Sequence, residues 1–336
     1  MRVKGKKVLV TGGAGFIGSH VVDLLLEKGA KVRVVDDFSS GKRENLSLHE
    51  GNNSLEVIEG DIRNSELLET ALSGVEWVYH MAVKCLRESL EDPFVVHEVN
   101  ATATLDLCEL CRRMGVKKFV YVSSSEVYGS AEYVPMDENH PLNPTTVYGA
   151  SKLAGEKYAL AYFYTYGLPV TVIRPFNTYG PREHFEGVYG EVIPRFIVQI
   201  LNNQSPTIFG DGKQSRDFTY VGDTARGILE VSLHPDAVGK TFNVARGEEV
   251  SILEVSNLLL RLLNKKEEIS PVFLPPRPGD VKRHFADVSR ARKVTGFEAK
   301  VDFTRGIEKF LLWFKSTYSA PDDLLPLIEK FCWEKR

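Results

Sequence analysis

The most constraining segment lies near the start of the chain. There Val8-Leu9-Val10-Thr11 runs into Gly12-Gly13-Ala14-Gly15-Phe16-Ile17-Gly18, and an amphipathic stretch continues to Lys28. The apolar run predicts a strand, the amphipathic stretch a helix, and the glycines a turn that larger residues would block. Two spacings fit: Gly13, Gly15 and Gly18 as G-x-G-x-x-G, or Gly12, Gly15 and Gly18 as G-x-x-G-x-x-G. In either, one glycine makes the turn, one admits a close ligand and one lets helix and strand pack tightly. The free N–H groups at the helix N-terminus then favour an anion. A second apolar run ends in Val34-Val35-Asp36-Asp37, about 20 residues further on, where a carboxylate accepts ribose hydroxyls and repels a 2′-phosphate. The segment therefore predicts a dinucleotide site selective for NAD over NADP. Gly12, Gly15, Phe16, Ile17, Gly18, Asp36, Asp37 and the nearby Ser40 are its candidate residues.

The first half of the chain repeats this alternation. Val8–Val10, Val32–Val35, Val57–Ile58, Trp77–His80, Phe119–Ser123 and Val170–Ile173 read as strands. Gly18–Lys28, Ser65–Leu72, Ala101–Met114 and Tyr148–Tyr166 read as helices between them. Continuous apolar strands separated by helices predict an α/β fold, a doubly wound Rossmann-type parallel sheet covered on both faces. After about Pro175 turn signals crowd in, around Tyr179-Gly180-Pro181, Gly210-Asp211-Gly212 and Pro271 to Gly279. The expected division is an NAD-binding domain over residues 1–175, to which 217–240 return with a helix near Thr219–Leu233. A smaller C-terminal substrate-binding lobe takes 176–216 and 241–336.

Composition narrows the function classes. The 336 residues carry 42 Lys+Arg against 45 Asp+Glu, a net charge of −3. That balance gives no general attraction to nucleic acid or to an anionic membrane, so phosphate must be held by a few local cations. No run of about 18 apolar residues is present, so no membrane span is expected. The N-terminal stretch lacks the features of a signal peptide, which makes the cytoplasm the expected compartment. Cys108 and Cys111 form a lone C-x-x-C in a helical stretch, and no metal site is expected there.

Two further patterns carry chemistry. Tyr148 and Lys152 lie four apart in a helical stretch and share a face. An ammonium near a phenol favours the phenolate, and a phenol so tuned can take a proton from a sugar hydroxyl. Ser123-Ser124-Ser125 follows the strand at Phe119, so these hydroxyls fall at a strand's carboxyl end, where ligands of doubly wound sheets bind.

With these motifs on the page, the chain resembles the extended short-chain dehydrogenase/reductases of the nucleotide-sugar epimerase/dehydratase group, and UDP-glucose 4-epimerase-like enzymes within it. The resemblance is carried by Thr11–Gly18, Asp61-Ile62, His80-Met81-Ala82, Asn100 and Ser123–Gly129. Tyr148–Lys152, Arg174–Arg182, Arg216-Asp217-Phe218 and Arg277-Pro278-Gly279-Asp280 extend it over nearly the whole length. It implies that Asp61 and Ile62 hold the adenine, that Met81 and Ala82 line the cofactor path and that Asn100, Tyr148 and Lys152 belong to the cofactor site. Ser124 would be the catalytic hydroxyl, beside Tyr148 and Lys152. Asn177, Arg216, Arg277 and Asp280 would hold the diphosphate of a nucleotide sugar, with Ser124 at the sugar. A homodimer is also implied, with Ala101–Met114 and Lys152–Tyr166 as its candidate faces.

Members of this group begin by oxidising the sugar at C4, then diverge. Tyr148–Glu156 and Arg277–Asp280 resemble 4-epimerases, and a 4-epimerase of UDP-hexose type is the expected activity. Glu126 departs from that pattern and resembles 4,6-dehydratases and UDP-glucuronate decarboxylases, where a carboxylate removes a proton made acidic by the neighbouring ketone. Ser125 stands where hexose dehydratases often carry Asp. Dehydration and decarboxylation therefore stay open, as does a non-catalytic NAD-binding sensor.

Overall fold

The computed structural model describes residues 2–276 and 281–328. In chain order, β1 (Lys7–Thr11), α1 (Phe16–Glu27), β2 (Lys31–Asp36), β3 (Leu55–Glu59), α2 (Ser65–Ala71) and β4 (Trp77–His80) come first. Two short helices, α3 (Glu88–Glu91) and α4 (Pro93–His97), precede α5 (Ala103–Arg113), β5 (Lys118–Val122), α6 (Val147–Tyr166) and β6 (Val170–Pro175). Next are β7 (Thr178–Tyr179), α7 (Val192–Leu201), β8 (Thr207–Phe209), β9 (Ser215–Arg216), β10 (Thr219–Tyr220), α8 (Val221–Leu233) and β11 (Thr241–Val244). Finally come β12 (Val250–Ser251), α9 (Ile252–Leu262), β13 (Val272–Leu274), β14 (Arg283–His284), α10 (Ser289–Thr295) and α11 (Phe303–Thr317).

The central sheet has seven strands in the order β11-β6-β5-β4-β1-β2-β3, all parallel. This is the doubly wound Rossmann-type architecture expected. Strand alternation sends Val8, Val10, Tyr79 and Val120 to one face, packed with Val21, Val22 and Leu25 of α1 and Ile228 of α8. Leu9, Val78, Phe119 and Tyr121 point to the other, against Leu68 of α2, Leu107 of α5 and Ala159 of α6. The chain runs outward from β1 through β2 to β3, then returns to place β4 on β1's other side. That reversal opens a crevice at the carboxyl ends of β1 and β4, the usual place for a ligand in such sheets.

A separate apolar cluster joins α7, α9 and α11, with Phe196, Ile197, Val255, Leu259, Ile307 and Phe310 fully or nearly buried. Around it β8 pairs with β13, and β9 lies between β12 and β14. The helix expected near Thr219–Leu233 is α8, which packs on α1. Thr241–Val244 corrects the expectation that the lobe resumes at 241. It pairs with β6 as the edge strand of the main sheet, because Phe242 and Val244 complete the apolar face under α8.

The helix expected from Ala101 to Met114 is also modified. Glu98–Thr102 forms a π-helical turn before α5 begins. There the Asn100 amide accepts from Lys84 N (2.9 Å) and donates to Lys84 O (3.1 Å) and Ser151 Oγ (3.1 Å), while Thr104 Oγ1 donates to Asn100 O (2.8 Å). Side chains bonded into the ladder widen the turn. Among the described residues no helix is long and apolar enough to cross a membrane. Cys108 and Cys111 are buried free thiols in the core under α5.

Candidate active site

A cavity of about 700 Å³ runs along the carboxyl ends of β1, β4 and β5 and continues between the main sheet and the α7–α9 cluster. One end is the glycine loop. Gly12 has φ +68°, and a Cβ there would stand 2.7 Å from the backbone of Ala82, so only glycine fits the turn. A Cβ on Gly18 would collide with the Gly12 carbonyl. Gly12, Gly15 and Gly18 line the cavity, whereas Gly13 packs against Val34. The structure thereby chooses between the two spacings, in favour of G-x-x-G-x-x-G. The N-terminus of α1 has no side-chain cap and no acidic residue in its first turn, so its N–H groups are open to an anion.

Asp36 ties this loop together. Its carboxylate accepts from Ala14 N and from Phe38 N, both at 2.9 Å. Burial pushes its pKa up, and the two N–H donors work against that. Asp37, Ser40, Asp61, Ile62, Met81 and Ala82 line the same end. The Asp61 carboxylate is clasped by Arg63, whose hydrogen bonds hold its pKa down. Below the loop, His80 bridges Thr11 Oγ1 (2.7 Å) and Thr104 Oγ1 (2.8 Å). Thr104 donates to Asn100 O, so it accepts from His80 Nε2–H, and Nδ1 then accepts from Thr11. Asn100 itself does not reach the cavity wall: its amide is spent on Lys84 and Ser151. Asn100 thereby ties the loop at Lys84 to α6.

The other end gathers the hydroxyls. Thr146 caps α6 by accepting from Gly149 N (3.0 Å), and this sets the direction in which Tyr148 leaves the first turn. The phenol is hydrogen-bonded to Ser124 at the end of β5. Ser124 is held in place by accepting from Glu126 N (3.2 Å). Lys152 is buried one turn further along α6, with Nζ donating to Val122 O (2.7 Å) and lying 4.5 Å from the Tyr121 ring centre. Tyr148, Ser124, Lys152 and Glu126, four residues from two separate stretches of sequence, thus meet in one wall. Burial pushes the Tyr148 phenol upward, and the Ser124 hydrogen bond works against that. Burial also pulls the Lys152 ammonium down to about 7, with Glu156 holding it up.

Behind this wall Glu156 and Arg174 form a fully buried bidentate pair (2.5 and 2.9 Å). Glu156 accepts from Ser123 Oγ (3.1 Å), and Arg174 donates to the Tyr128 phenol (2.8 Å), which donates to Asn243 Oδ1 (2.6 Å). The network fixes α6, β5, β6 and β11 relative to one another at the point where the hydroxyls meet.

Asn177 and Arg216 line the far part of the cavity, and Asn177 Oδ1 is buried with no partner among the described residues. Arg277 and Asp280 lie outside the described residues. Several cavity residues were missed in the sequence: Arg87, Glu183, Tyr189, Glu191 and Arg195, with Thr207 and Phe209 beyond them. They belong to no motif. Their only signal is position, since Arg87 follows β4 and Glu183 follows β6, both at carboxyl ends.

The model of the NAD dependent epimerase/dehydratase family matches residues 8–245. The chain belongs to this family. Among epimerase/dehydratase family members, the UDP-glucose 4-epimerase of Mycolicibacterium smegmatis is 37% identical over 313 residues, 92% of this chain and 99% of the relative. UDP-glucuronic acid decarboxylase 1 of Danio rerio is 33% identical over 315 residues, 92% of this chain and 72% of the relative. The crystal structure of UDP-glucose 4-epimerase with UDP-glucose from Thermotoga maritima superposes with a TM-score of 0.87 at 35% identity, covering 93% of this chain and 99% of that one.

This is accordingly an NAD-dependent enzyme of the epimerase/dehydratase family, and its residues fit the cofactor. The glycine cradle that a Cβ would fill, and the uncapped α1 N-terminus beside it, suit a pyrophosphate.

Proposed function

We propose that the chain is a nucleotide-sugar 4-epimerase of UDP-hexose type, working in the cytoplasm. The observation that carries this reading is the hydrogen-bonded Ser124–Tyr148 pair beside a buried Lys152, in the same cavity as the glycine loop. NAD, when bound, supplies a hydride acceptor for the sugar's C4. The chain's own residues do the rest. Ser124 donates to the C4 oxygen and orients it, and the Tyr148 phenol oxygen takes the hydroxyl proton. The Lys152 ammonium stabilises the phenolate while it exists. Gly12, Gly15 and Gly18 admit the cofactor's pyrophosphate, and Asp36 and Asp37 face its ribose. Asn177 and Arg216 hold the nucleotide diphosphate, an Arg fork being suited to phosphate oxygens. The lobe built on α7, α9 and α11 covers the substrate.

Glu126 favours one further reading, a 4,6-dehydratase. It lines the cavity and acts electrostatically on the Tyr148 phenol, where a base beside a C4 ketone would stand. Supporting epimerisation are the UDP-glucose 4-epimerase relatives. A homodimer through α5 and α6 completes the proposal.

Mass spectrometry and chromatography on a panel of UDP-sugars test the reading. Unchanged mass with a new retention time is the expected result. Loss of water in the product, with a stalled 4-keto sugar in Glu126→Gln, replaces the epimerase by the dehydratase. No product and no near-ultraviolet absorbance from reduced cofactor with any sugar nucleotide refutes both.

A further inference from the structure

The turn that carries Ser124 receives one hydrogen bond from far along the chain. His284, at the end of β14, is fully buried, and its ring Nε2 lies 3.1 Å from Ser125 O. A carbonyl only accepts, so the ring proton sits on Nε2. Nδ1 is then bare, and it has no partner among the described residues. The ring lies against Phe176, their centroids 5.2 Å apart. Packing alone would be served there by leucine or phenylalanine, which bury no unpaired nitrogen. What histidine adds is the bond to Ser125.

That bond falls on a particular peptide. Ser125 C=O and Glu126 N–H belong to one planar unit. Its N–H donates to Ser124 Oγ (3.2 Å). Its C=O accepts from His284 and, within the turn, from Tyr128 N (3.1 Å). Rotating the peptide would swing its N–H away from Ser124, so His284 holds the Ser124 hydroxyl at one remove. Donation into the carbonyl also polarises the N–H on the other side. Because Ser124 Oγ accepts that N–H, its own proton is the one it can give to a substrate oxygen. The strand behind His284 leads to the far part of the cavity. His284 is in register with Arg216 of β9. Asp217 N donates to His284 O (2.9 Å) and Ser215 N to Lys282 O (3.0 Å). Arg216 Nη1 donates to Val281 O (2.7 Å). The Asp217 carboxylate accepts from Ala286 N (3.3 Å) and Gly247 N (3.0 Å), which pins the end of β14.

We infer that His284 is a positioning residue: it fixes Ser124 through the Ser125–Glu126 peptide and sets the spacing between that hydroxyl and Arg216. A sugar nucleotide held by its diphosphate at Arg216 then has its C4 oxygen delivered to Ser124. This rests on the proposed roles of Ser124 and Arg216.

His284→Asn and His284→Gln separate the bond from the bulk. The Gln amide nitrogen stands as many bonds from Cβ as Nε2 does and reaches Ser125 O, whereas the Asn nitrogen is one bond short. Rapid-mixing absorbance of reduced cofactor, with the NAD-loaded protein and saturating UDP-glucose, reads hydride transfer. Equilibrium binding of UDP and of NAD reads the two grips. His284→Asn is expected to slow hydride transfer by about tenfold or more, with UDP and NAD affinities within about twofold of wild type. His284→Gln is expected to return the rate to within about threefold of wild type, a rescue that a merely structural role would not give. Nitrogen-15 NMR of the histidine-labelled wild type is expected to show His284 as the Nε2–H tautomer, and the Nδ1–H tautomer overturns the inference without any variant. So does an unchanged rate in His284→Asn, a His284→Gln as slow as His284→Asn, or a loss confined to UDP affinity. In those cases turnover of UDP-glucose by the wild type leaves the function reading standing. A wild type that neither binds UDP nor reduces its cofactor with UDP-glucose overturns that reading and this inference together.

Discussion

In the proposed mechanism Tyr148 acts through one oxygen. Its phenol is hydrogen-bonded to Ser124 and raised by burial, so it keeps its proton until a partner makes removal favourable. Tyr148→Phe removes the oxygen and leaves the packing. C4 oxidation should fall by about 10²–10⁴-fold, the usual contribution of a positioned general base. NAD affinity, set at the glycine loop, should stay within about twofold of wild type, since a loop 130 residues away in sequence is untouched. Single-turnover absorbance of reduced cofactor, with NAD binding measured in parallel, checks both halves. Near-normal turnover would remove Tyr148 from its role.

At the scale of elements, the site depends on how α6 is held against β5 and β6. The Glu156–Arg174 pair does this, one turn beyond Lys152. Glu156→Gln should cost stability, up to about 3–5 kcal/mol, because Arg174 is left buried without its charge partner; a urea midpoint measures this. It should also change the pH profile. The Glu156 carboxylate favours the Lys152 ammonium, and burial has already drawn that group down to about 7. Without the carboxylate the proton leaves at still lower pH, so the alkaline limb of kcat/KM should move toward acid. A lower urea midpoint with an unmoved alkaline limb would make the pair a brace only.

Over the whole molecule, histidines held down by burial bear on acid stability. Burial holds His20 down to about 4, and His80 and His284 down to about 3. Each folded pKa lies below the unfolded value near 6.5. The unfolded chain therefore binds protons that the fold refuses, and stability drains away as pH falls from about 6.5 toward 3. Asp36, Glu138, Glu183 and Asp217 have raised values and act in the opposite sense. A difference between two proteins cancels them. His284 donates Nε2–H to Ser125 O (3.1 Å) and packs on Phe176. In His284→Asn the loss of stability between pH 6 and 4 should be shallower by about 1.4 kcal/mol per pH unit. Urea titrations across that range decide it; parallel curves would show that His284 is protonated in the fold.

The alternation of apolar runs and amphipathic stretches already determined the doubly wound sheet, because backbone pairing and helix burial are local consequences of residue type. The glycine loop was legible for the same reason: its constraint is steric and lies within seven residues. Tyr148, Lys152 and Ser124 could be singled out through spacing on a helix and placement after a strand. What the sequence could not decide is whatever depends on pairs distant in number. It could not choose between Gly12 and Gly13, since the choice is made by the backbone of Ala82 and the side chain of Val34. It could not bond Asn100 to Lys84 and Ser151, nor seat Thr241–Val244 in the main sheet. Nor could it assemble Arg87, Glu183 and Glu191 around one cavity. Burial and electrostatic fields arise only once loops from separate strand ends close around one space, and tertiary structure alone brings them there.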